Sequence, residues 1–298
     1  MKKILKWTGY IVAGLLILVV LAVGTVYAIT SPRLNKSYPT QVNAVAIPSD
    51  PASIERGRHL VRAVAKCGDC HGDNLSGGSV MDAAVFAKLT APNLTSGKGG
   101  IGSTYTDADW IRAIRYGVRR DGKPLIFMPS EAFQHFSDSD LGAIIAFLKT
   151  VPPADMTVPP ARSVGPIARM IYLVGGFPLI PAELVDRTKH RVAQVAAGPT
   201  LEYGKYLAQT GGCMGCHLPT LAGGGDINGV KSTNLTPGGP LKSWTEADFF
   251  NAIRNGTRPD GTKISEVMPW KSMSTLTDDE LRAMWLFLRS VPPVTPAD

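Results

Sequence analysis

The sequence predicts an all-α protein in which one transmembrane helix precedes two tandem copies of a small helical domain. Two observations favour this fold class: a charge-free apolar segment near the N-terminus, and a sequence unit that occurs twice in the remainder. Sustained alternation of apolar and polar residues, the pattern of a half-buried strand, is missing. The composition, 44% hydrophobic and 18% charged, excludes collagen-like and disordered classes. The net charge of +7 is too dispersed to indicate nucleic-acid binding.

Residues 1–32 are predicted to anchor the chain in a membrane. The segment 7–32 carries no charge, and residues 10–29 alone would span about 30 Å as a helix, the thickness of a bilayer's hydrocarbon core. Three lysines precede the segment, so the N-terminus should stay in the cytoplasm and the rest of the chain should be exported. The alternative is a cleaved signal peptide with a cleavage site at Val26-Tyr27-Ala28. An apolar region longer than the roughly 7–15 residues of signal peptides favours the anchor.

Two homologous domains, at residues 50–153 and 199–293, are predicted from an internal repeat. Residues 106–122 align with residues 245–261, and ten of these seventeen positions are identical. Five short motifs recur in the same order in both copies: Gly-x-x-Leu, Cys-x-x-Cys-His, Asn-Leu-Thr, Met-Pro and Phe-Leu. Residues 154–198 have no counterpart and form a proline-rich connector, which is expected to pack across the two domains. The alternative is that its apolar segment 167–180 contacts the membrane surface or a partner.

Helices within each copy are delimited by capping residues. A Ser or Thr followed three residues later by an acid resembles the capping box at a helix start, and Gly or Pro marks the helix end. The starts are at Thr106, Ser137, Thr245 and Thr277, and the matching ends are at Gly117, Pro152, Gly256 and Pro292. Each domain therefore contains at least two helices of ordinary length, joined by long loops.

The four cysteines of the chain form two Cys-x-x-Cys-His motifs, one in each domain. The motif residues are Cys67, Cys70 and His71 in the first copy and Cys213, Cys216 and His217 in the second. This pattern is the attachment signature of c-type haem. Two cysteines three residues apart on one helical turn can form thioethers with both vinyl groups of a porphyrin. The next residue then directs an imidazole to the iron from the same side.

Other uses of a Cys-x-x-Cys pair fit this chain less well. A thioredoxin-type redox pair needs a βαβ setting, which the sequence does not show. One zinc ion shared by both pairs would leave the two histidines and the repetition unexplained. A structural disulfide is a further alternative. Export supports haem, because c-type haem is attached outside the cytoplasm.

Met128 and Met268 are predicted to be the second axial ligands of the two irons. They are the only methionines at matched positions in the two copies, and each precedes a proline that restrains its loop. A single methionine usually serves as packing, but its repetition favours a ligand. The histidines His59, His135 and His190 have no histidine at the matched position.

Arg115 and Arg254 also occupy matched positions, in the segment that aligns between the two copies. We hypothesise that each holds a propionate of its own domain's haem, since a guanidinium pairs well with a partly buried carboxylate. The alternative is a solvated helix face near a C-terminal end, which attracts cations.

Together these motifs resemble class I cytochrome c, present twice. With the anchor, the chain is similar to the membrane-bound cytochrome c subunits of periplasmic dehydrogenases, and the resemblance covers about 200 of its 298 residues. It implies two covalently bound haem c groups. Related subunits often carry three haem domains, whereas this chain has two.

The resemblance also implies contacts within each domain. The carbonyl of Pro92 should accept a hydrogen bond from His71, which fixes the imidazole as a ligand. In the second domain the corresponding position is Thr233. The helices that contain Gly57 and Gly204 should each cross the last helix of their domain, near its Phe-Leu pair.

The implied function is electron transfer at the outer face of the bacterial inner membrane. Electrons would pass from a periplasmic dehydrogenase to quinone, a terminal oxidase or another cytochrome. His and Met ligation leaves no open position on the iron, which suits outer-sphere electron transfer. The alternative is a di-haem enzyme, a peroxidase or a sulfur-compound oxidoreductase, with one labile axial ligand. A subunit of a haem-copper oxidase complex is a third possibility.

Overall fold

A computed structural model describes residues 2–189, 191–227 and 229–295. His190, one of the histidines weighed as a ligand, lies outside the described residues. The protein is mostly helical, with 46% of the described residues in helices. The elements before the connector are α1 (Lys2–Asn35), α2 (Pro51–His59), α3 (Gly68–His71), β1 (Gly78–Ala83), β2 (Ala87–Ala91), α4 (Asp107–Tyr116), α5 (Ser130–Phe133) and α6 (Asp138–Thr150).

The remaining elements belong to the connector and to the second domain, which repeats the helices of the first. The connector contains β3 (Arg162–Val164) and α7 (Pro166–Leu173). The second domain contains α8 (Leu201–Thr210), α9 (Cys213–His217), β4 (Asp226–Ile227), β5 (Val230–Lys231), α10 (Glu246–Asn255), α11 (Trp270–Met273) and α12 (Asp278–Ser290). Helices α2, α3, α4, α5 and α6 thus correspond to α8, α9, α10, α11 and α12.

Helix α1 is exposed along most of its length, and its last turns contact the connector. In the described part of the chain it is the one helix long and apolar enough to cross a membrane. The guanidinium of Arg169, on α7, lies 4.1 Å from the centre of the Tyr27 ring. The same group donates hydrogen bonds to the hydroxyls of Thr30 and Ser31, at 2.7 and 3.1 Å. The connector therefore holds the end of α1.

The capping residues define the helices as predicted. The Thr106 hydroxyl accepts a hydrogen bond from the Asp109 amide, and the Asp109 carboxylate accepts one from the Thr106 amide. The same reciprocal pair forms at the starts of α10 and α12. Gly117 and Gly256 end α4 and α10 with φ values of 64° and 61°, in the left-handed region that glycine adopts without steric cost.

Each domain is built around one close helix crossing at a glycine. A Cβ atom on Gly57 would lie 1.9 Å from the Ala143 carbonyl oxygen of α6. A Cβ atom on Gly204 would lie 1.9 Å from the Ala283 carbonyl oxygen of α12. The helices can approach this closely because neither glycine has a side chain. The predicted crossings are confirmed, and α6 and α12 bury most of their inward faces in the core.

Two small antiparallel sheets correct the prediction that the fold is all-α. Strands β1, β2 and β3 form one sheet in that order, and β4 pairs with β5. Strand β2 alternates buried and exposed residues, with Leu89 buried and Lys88 exposed. The alternation covers only five residues, two of them alanines, so periodicity does not reveal it. Strand β3 brings the connector into the first domain through pairs such as Ala87 with Val164.

A cluster of charged and aromatic side chains joins the two domains between the helix crossings. Arg56 of α2 donates to the carboxylate of Asp140 in its own domain, at 3.0 and 3.1 Å, and to Glu280 of the second domain at 3.2 Å. A second bond joins the domains: the Tyr206 hydroxyl of α8 donates to the Asp140 carboxylate at 2.7 Å. The first helix of each domain therefore contacts an acidic residue in the first turn of the other domain's last helix, Glu280 or Asp140.

Candidate functional site

The two Cys-x-x-Cys-His motifs occupy matching short helices, α3 and α9. The four cysteines are free thiols, and burial raises the pKa of each of them. Within the described residues, no group of three or more His, Cys, Asp or Glu side chains could hold a metal ion. The structure therefore gives no support to a zinc ion shared by the two pairs.

Both motif histidines are held through one ring nitrogen by a backbone carbonyl. His71 Nδ1 lies 2.8 Å from the Pro92 oxygen, and His217 Nδ1 lies 2.7 Å from the Thr233 oxygen. Because a carbonyl only accepts, each Nδ1 carries the proton and Nε2 keeps its lone pair. Burial lowers the pKa of both imidazoles, and the carbonyl bond opposes that shift without cancelling it. A neutral imidazole oriented in this way is the form that ligates iron.

Met128 and Met268 lie in equivalent loops that lead into α5 and α11. Each is partly buried against the core. The Met128 carbonyl accepts a hydrogen bond from the Ser130 amide at 2.8 Å, and the Met268 carbonyl accepts one from the Trp270 amide at 2.7 Å. The prolines that follow the methionines, Pro129 and Pro269, occupy the N-cap positions of the short helices. The loops are thus built alike, and ligation of the irons by the two methionines stays a prediction.

Arg115 and Arg254 form equivalent ion pairs with the first residue of the last helix in their domains. Arg115 is 1% exposed, and its Nη1 lies 2.7 Å from Asp138 Oδ1. Arg254 Nη2 lies 2.8 Å from Asp278 Oδ1. Each guanidinium also donates to a carbonyl just before that helix, Phe136 at 2.9 Å in the first domain and Ser274 in the second. Both arginines therefore hold the start of α6 or α12, and the propionate hypothesis stays untested.

Five buried side-chain donors have no hydrogen-bond partner among the described residues. They are Arg115 Nε, Trp110 Nε1, Trp270 Nε1, Arg191 Nε of the connector and the Ser232 hydroxyl. Buried donors of this kind are normally satisfied, and carboxylate groups such as haem propionates would satisfy them. Together with the free thiols and the oriented imidazoles, the unpartnered donors of Arg115, Trp110 and Trp270 fit a covalently held haem in each domain. Sequence reasoning missed both tryptophans, because the repeat comparison considers only residues that are present in both copies.

Two regions of the chain match one family profile. The profile, described as cytochrome c oxidase, cbb3-type, subunit III, matches residues 52–148 and 199–288. The chain belongs to this cytochrome family. The resemblance stated above is confirmed, and the chemistry of the protein is electron transport through haem.

This cytochrome is similar to cytochrome subunits of bacterial dehydrogenases. It is 28% identical over 282 residues to the fructose dehydrogenase cytochrome subunit of Gluconobacter japonicus, which corresponds to 84% of this chain and 56% of that protein. It is 27% identical over 292 residues to the cytochrome c subunit of alcohol dehydrogenase (quinone) from Gluconacetobacter polyoxogenes, 84% of this chain and 58% of that protein.

A third relative is closer to this cytochrome in length. The diheme c-type cytochrome of Cereibacter sphaeroides is 28% identical over 242 residues, which covers 74% of this chain and 77% of that protein. By contrast, the cytochrome spans less than three fifths of the length of the two dehydrogenase subunits.

Proposed function

We propose that this cytochrome carries two haem c groups and transfers electrons at the outer face of the bacterial inner membrane. The donor in this proposal is a periplasmic dehydrogenase, and the acceptor is quinone, a terminal oxidase or another cytochrome. One observation carries the proposal: the same site is built twice, each time with a Cys-x-x-Cys-His helix, an imidazole held by a carbonyl and a Met-Pro loop.

The residues of each site have separate tasks in this function. In the first domain Cys67 and Cys70 would hold the haem covalently, and His71, whose ring is held by the Pro92 carbonyl, would ligate its iron. Met128 would supply a soft thioether as the second protein ligand. The haem itself supplies a one-electron iron couple. A fixed ligand set lets the iron change its charge without exchanging ligands, so the protein needs little rearrangement at each transfer.

The haem count tests this proposal. We expect a purified chain to contain two covalently bound haems, measured by its reduced haemochrome spectrum after denaturation. Replacement of Cys213 and Cys216 by alanine should leave one haem, and the matched replacement of Cys67 and Cys70 should leave the other. A wild-type protein with fewer than two covalent haems would contradict the proposal.

Helix α1 is proposed to remain attached and to cross the membrane. The connector contacts α1 on both sides of the alternative cleavage site: Arg169 stacks on Tyr27 before it and bonds to Thr30 after it. Helix α7 lies beside this end of α1 and exposes Ile167 and Met170, which are 41% and 53% accessible. We infer that α7 rests at the boundary between the membrane and the periplasm.

A cysteine-labelling experiment tests this placement. Haem attachment consumes all four native thiols, so a single added cysteine carries the fluorescent label. In vesicles we expect a label at Leu18→Cys to be quenched by brominated lipids and shielded from aqueous iodide. A label at Met170→Cys should be quenched by lipids brominated close to the headgroup. A label at Asp260→Cys should be quenched by iodide alone. A mature chain that begins near Ile29, or iodide access at position 18, would contradict the anchor.

A further inference from the structure

Lys66, the residue before Cys67, connects the chain segments that lead into the two attachment motifs. Its ammonium donates to the Val64 carbonyl of its own domain at 2.7 Å and to the Gly211 carbonyl of the second domain at 2.8 Å. Gly211 stands two residues before Cys213. One side chain therefore bridges the two candidate sites.

The backbone of Lys66 is unusual for a residue with a side chain. Its φ is 53°, in the left-handed region, and the residue at the matched position of the second domain, Gly212, has a φ of 75°. Glycine adopts this conformation freely, whereas a residue with a Cβ atom is destabilised by it. The second domain shows that glycine meets the backbone requirement, so only the side chain of Lys66 accounts for a lysine at this place.

The segment before Lys66 also departs from the second domain. Ten positions separate Gly57 from Cys67, whereas nine separate Gly204 from Cys213. A π-helical turn at Leu60–Val64 accommodates the additional residue, and the Ala65 amide donates to the Leu60 carbonyl five residues earlier, at 2.7 Å. Turns of this kind are rare, and many of those that are known lie at functional sites. The π-helical turn ends two residues before the left-handed lysine, whose ammonium reaches the Gly211 carbonyl.

The surroundings of the Lys66 side chain are mostly apolar, so they screen its charge only weakly. It borders a small cavity whose other walls are mostly apolar and which also includes Cys213. The apolar residues of this cavity are Ala63, Val64, Leu207, Met273, Leu276 and Met284. A charge among such groups is screened less than one in water.

We propose that Lys66 is a positioning residue that ties the two haem-attachment segments together and places a positive charge between the two haems. This inference rests on the proposed di-haem function. A nearby positive charge disfavours the ferric state, which is the more positive state of the iron. Lys66 therefore raises the midpoint potentials of the haems and holds the attachment segments at a constant separation.

The test is a redox titration of the full-length, haem-loaded protein. Burial lowers the pKa of Lys66, and because a lower pH increases the protonated fraction of any amine, the titration is run at pH 6. For Lys66→Met we expect both reduction equilibrium constants to fall about tenfold, equivalent to about 59 mV for one electron. Lys66→Arg, which keeps the charge, should restore most of the shift. Lys205→Met, which removes an exposed lysine from α8, should leave both potentials unchanged.

A second variant guards against a folding defect. Lys66→Gly has the residue that the second domain uses at this position, so the chain should fold and attach both haems. Its potentials should fall as in Lys66→Met, and the magnetic interaction between the two ferric irons should change. Unchanged potentials in both variants, with two normal haem spectra, would overturn the inference about Lys66 and leave the proposed function intact. A wild type with fewer than two covalent haems would instead overturn the proposed function and this inference with it.

Discussion

Replacement of Met128 by alanine is expected to leave both haems covalently attached and to change the iron of the first domain. The cysteines hold the haem independently of the axial ligand, whereas loss of the thioether opens one coordination position. The methionine–iron band at the red end of the spectrum should disappear for one haem. The midpoint potential of that haem should fall, because methionine ligation raises it. The ferrous iron should also bind carbon monoxide.

The matched variant and a control make this experiment specific. Met268→Ala should produce the same changes in the second haem and leave the first one unaltered. Met170→Ala, at an exposed methionine of α7, should change neither spectrum. Two unaltered haems in Met128→Ala would contradict the assignment, and His135 would become the next candidate. If the wild type itself binds carbon monoxide, the di-haem enzyme becomes the better interpretation.

Gly204→Ala is expected to destabilise the second domain despite the higher helix propensity of alanine. The added Cβ atom would lie 1.9 Å from the Ala283 carbonyl oxygen, a backbone atom that cannot rotate away. The helices α8 and α12 must then separate, and overpacking of this kind costs roughly 2 kcal/mol or more. For a domain of about 100 residues this corresponds to a fall in melting temperature of about 10 °C. Thermal unfolding followed by circular dichroism measures it.

A glycine in open space provides the control for that variant. No atom lies within 4 Å of a Cβ atom placed on Gly24 of α1, so Gly24→Ala should leave the unfolding temperature of the haem domains unchanged. Gly57→Ala should destabilise the first domain in the same way, because its Cβ atom meets the Ala143 carbonyl. A Gly204→Ala protein as stable as the wild type would show that the crossing is not tightly packed.

Most of the candidate site could be predicted from short stretches of sequence. The Cys-x-x-Cys-His spacing is a local property, since both thiols and the imidazole lie on one helical turn. The repeat then selected Met128 and Met268, because few functional requirements other than a shared site place a methionine twice in the same loop. The contact from His71 to Pro92 came from the resemblance, and the structure confirms it.

Features that depend on contacts between distant segments could not be predicted in this way. The sheet was missed because β2 is short and because its partner β3 lies in the connector, which the repeat leaves unexplained. The ion pair between Arg115 and Asp138 could not be anticipated, because it depends on how α4 packs beside the start of α6. The unpartnered donors Trp110 Nε1 and Trp270 Nε1 became visible only once the burial of each side chain was known.

The sequence by itself determined which atoms are candidates to bind haem, how many candidate sites there are and where an apolar helix precedes them. These properties follow from covalent spacing, helical periodicity and composition, which act over a few residues. Only the tertiary structure decided how the two sites are joined. The bridge from Lys66 to Gly211 and the bond from Arg56 to Glu280 connect residues more than 140 positions apart. Such contacts form because helix packing brings distant segments together, and no local pattern in the chain encodes that proximity.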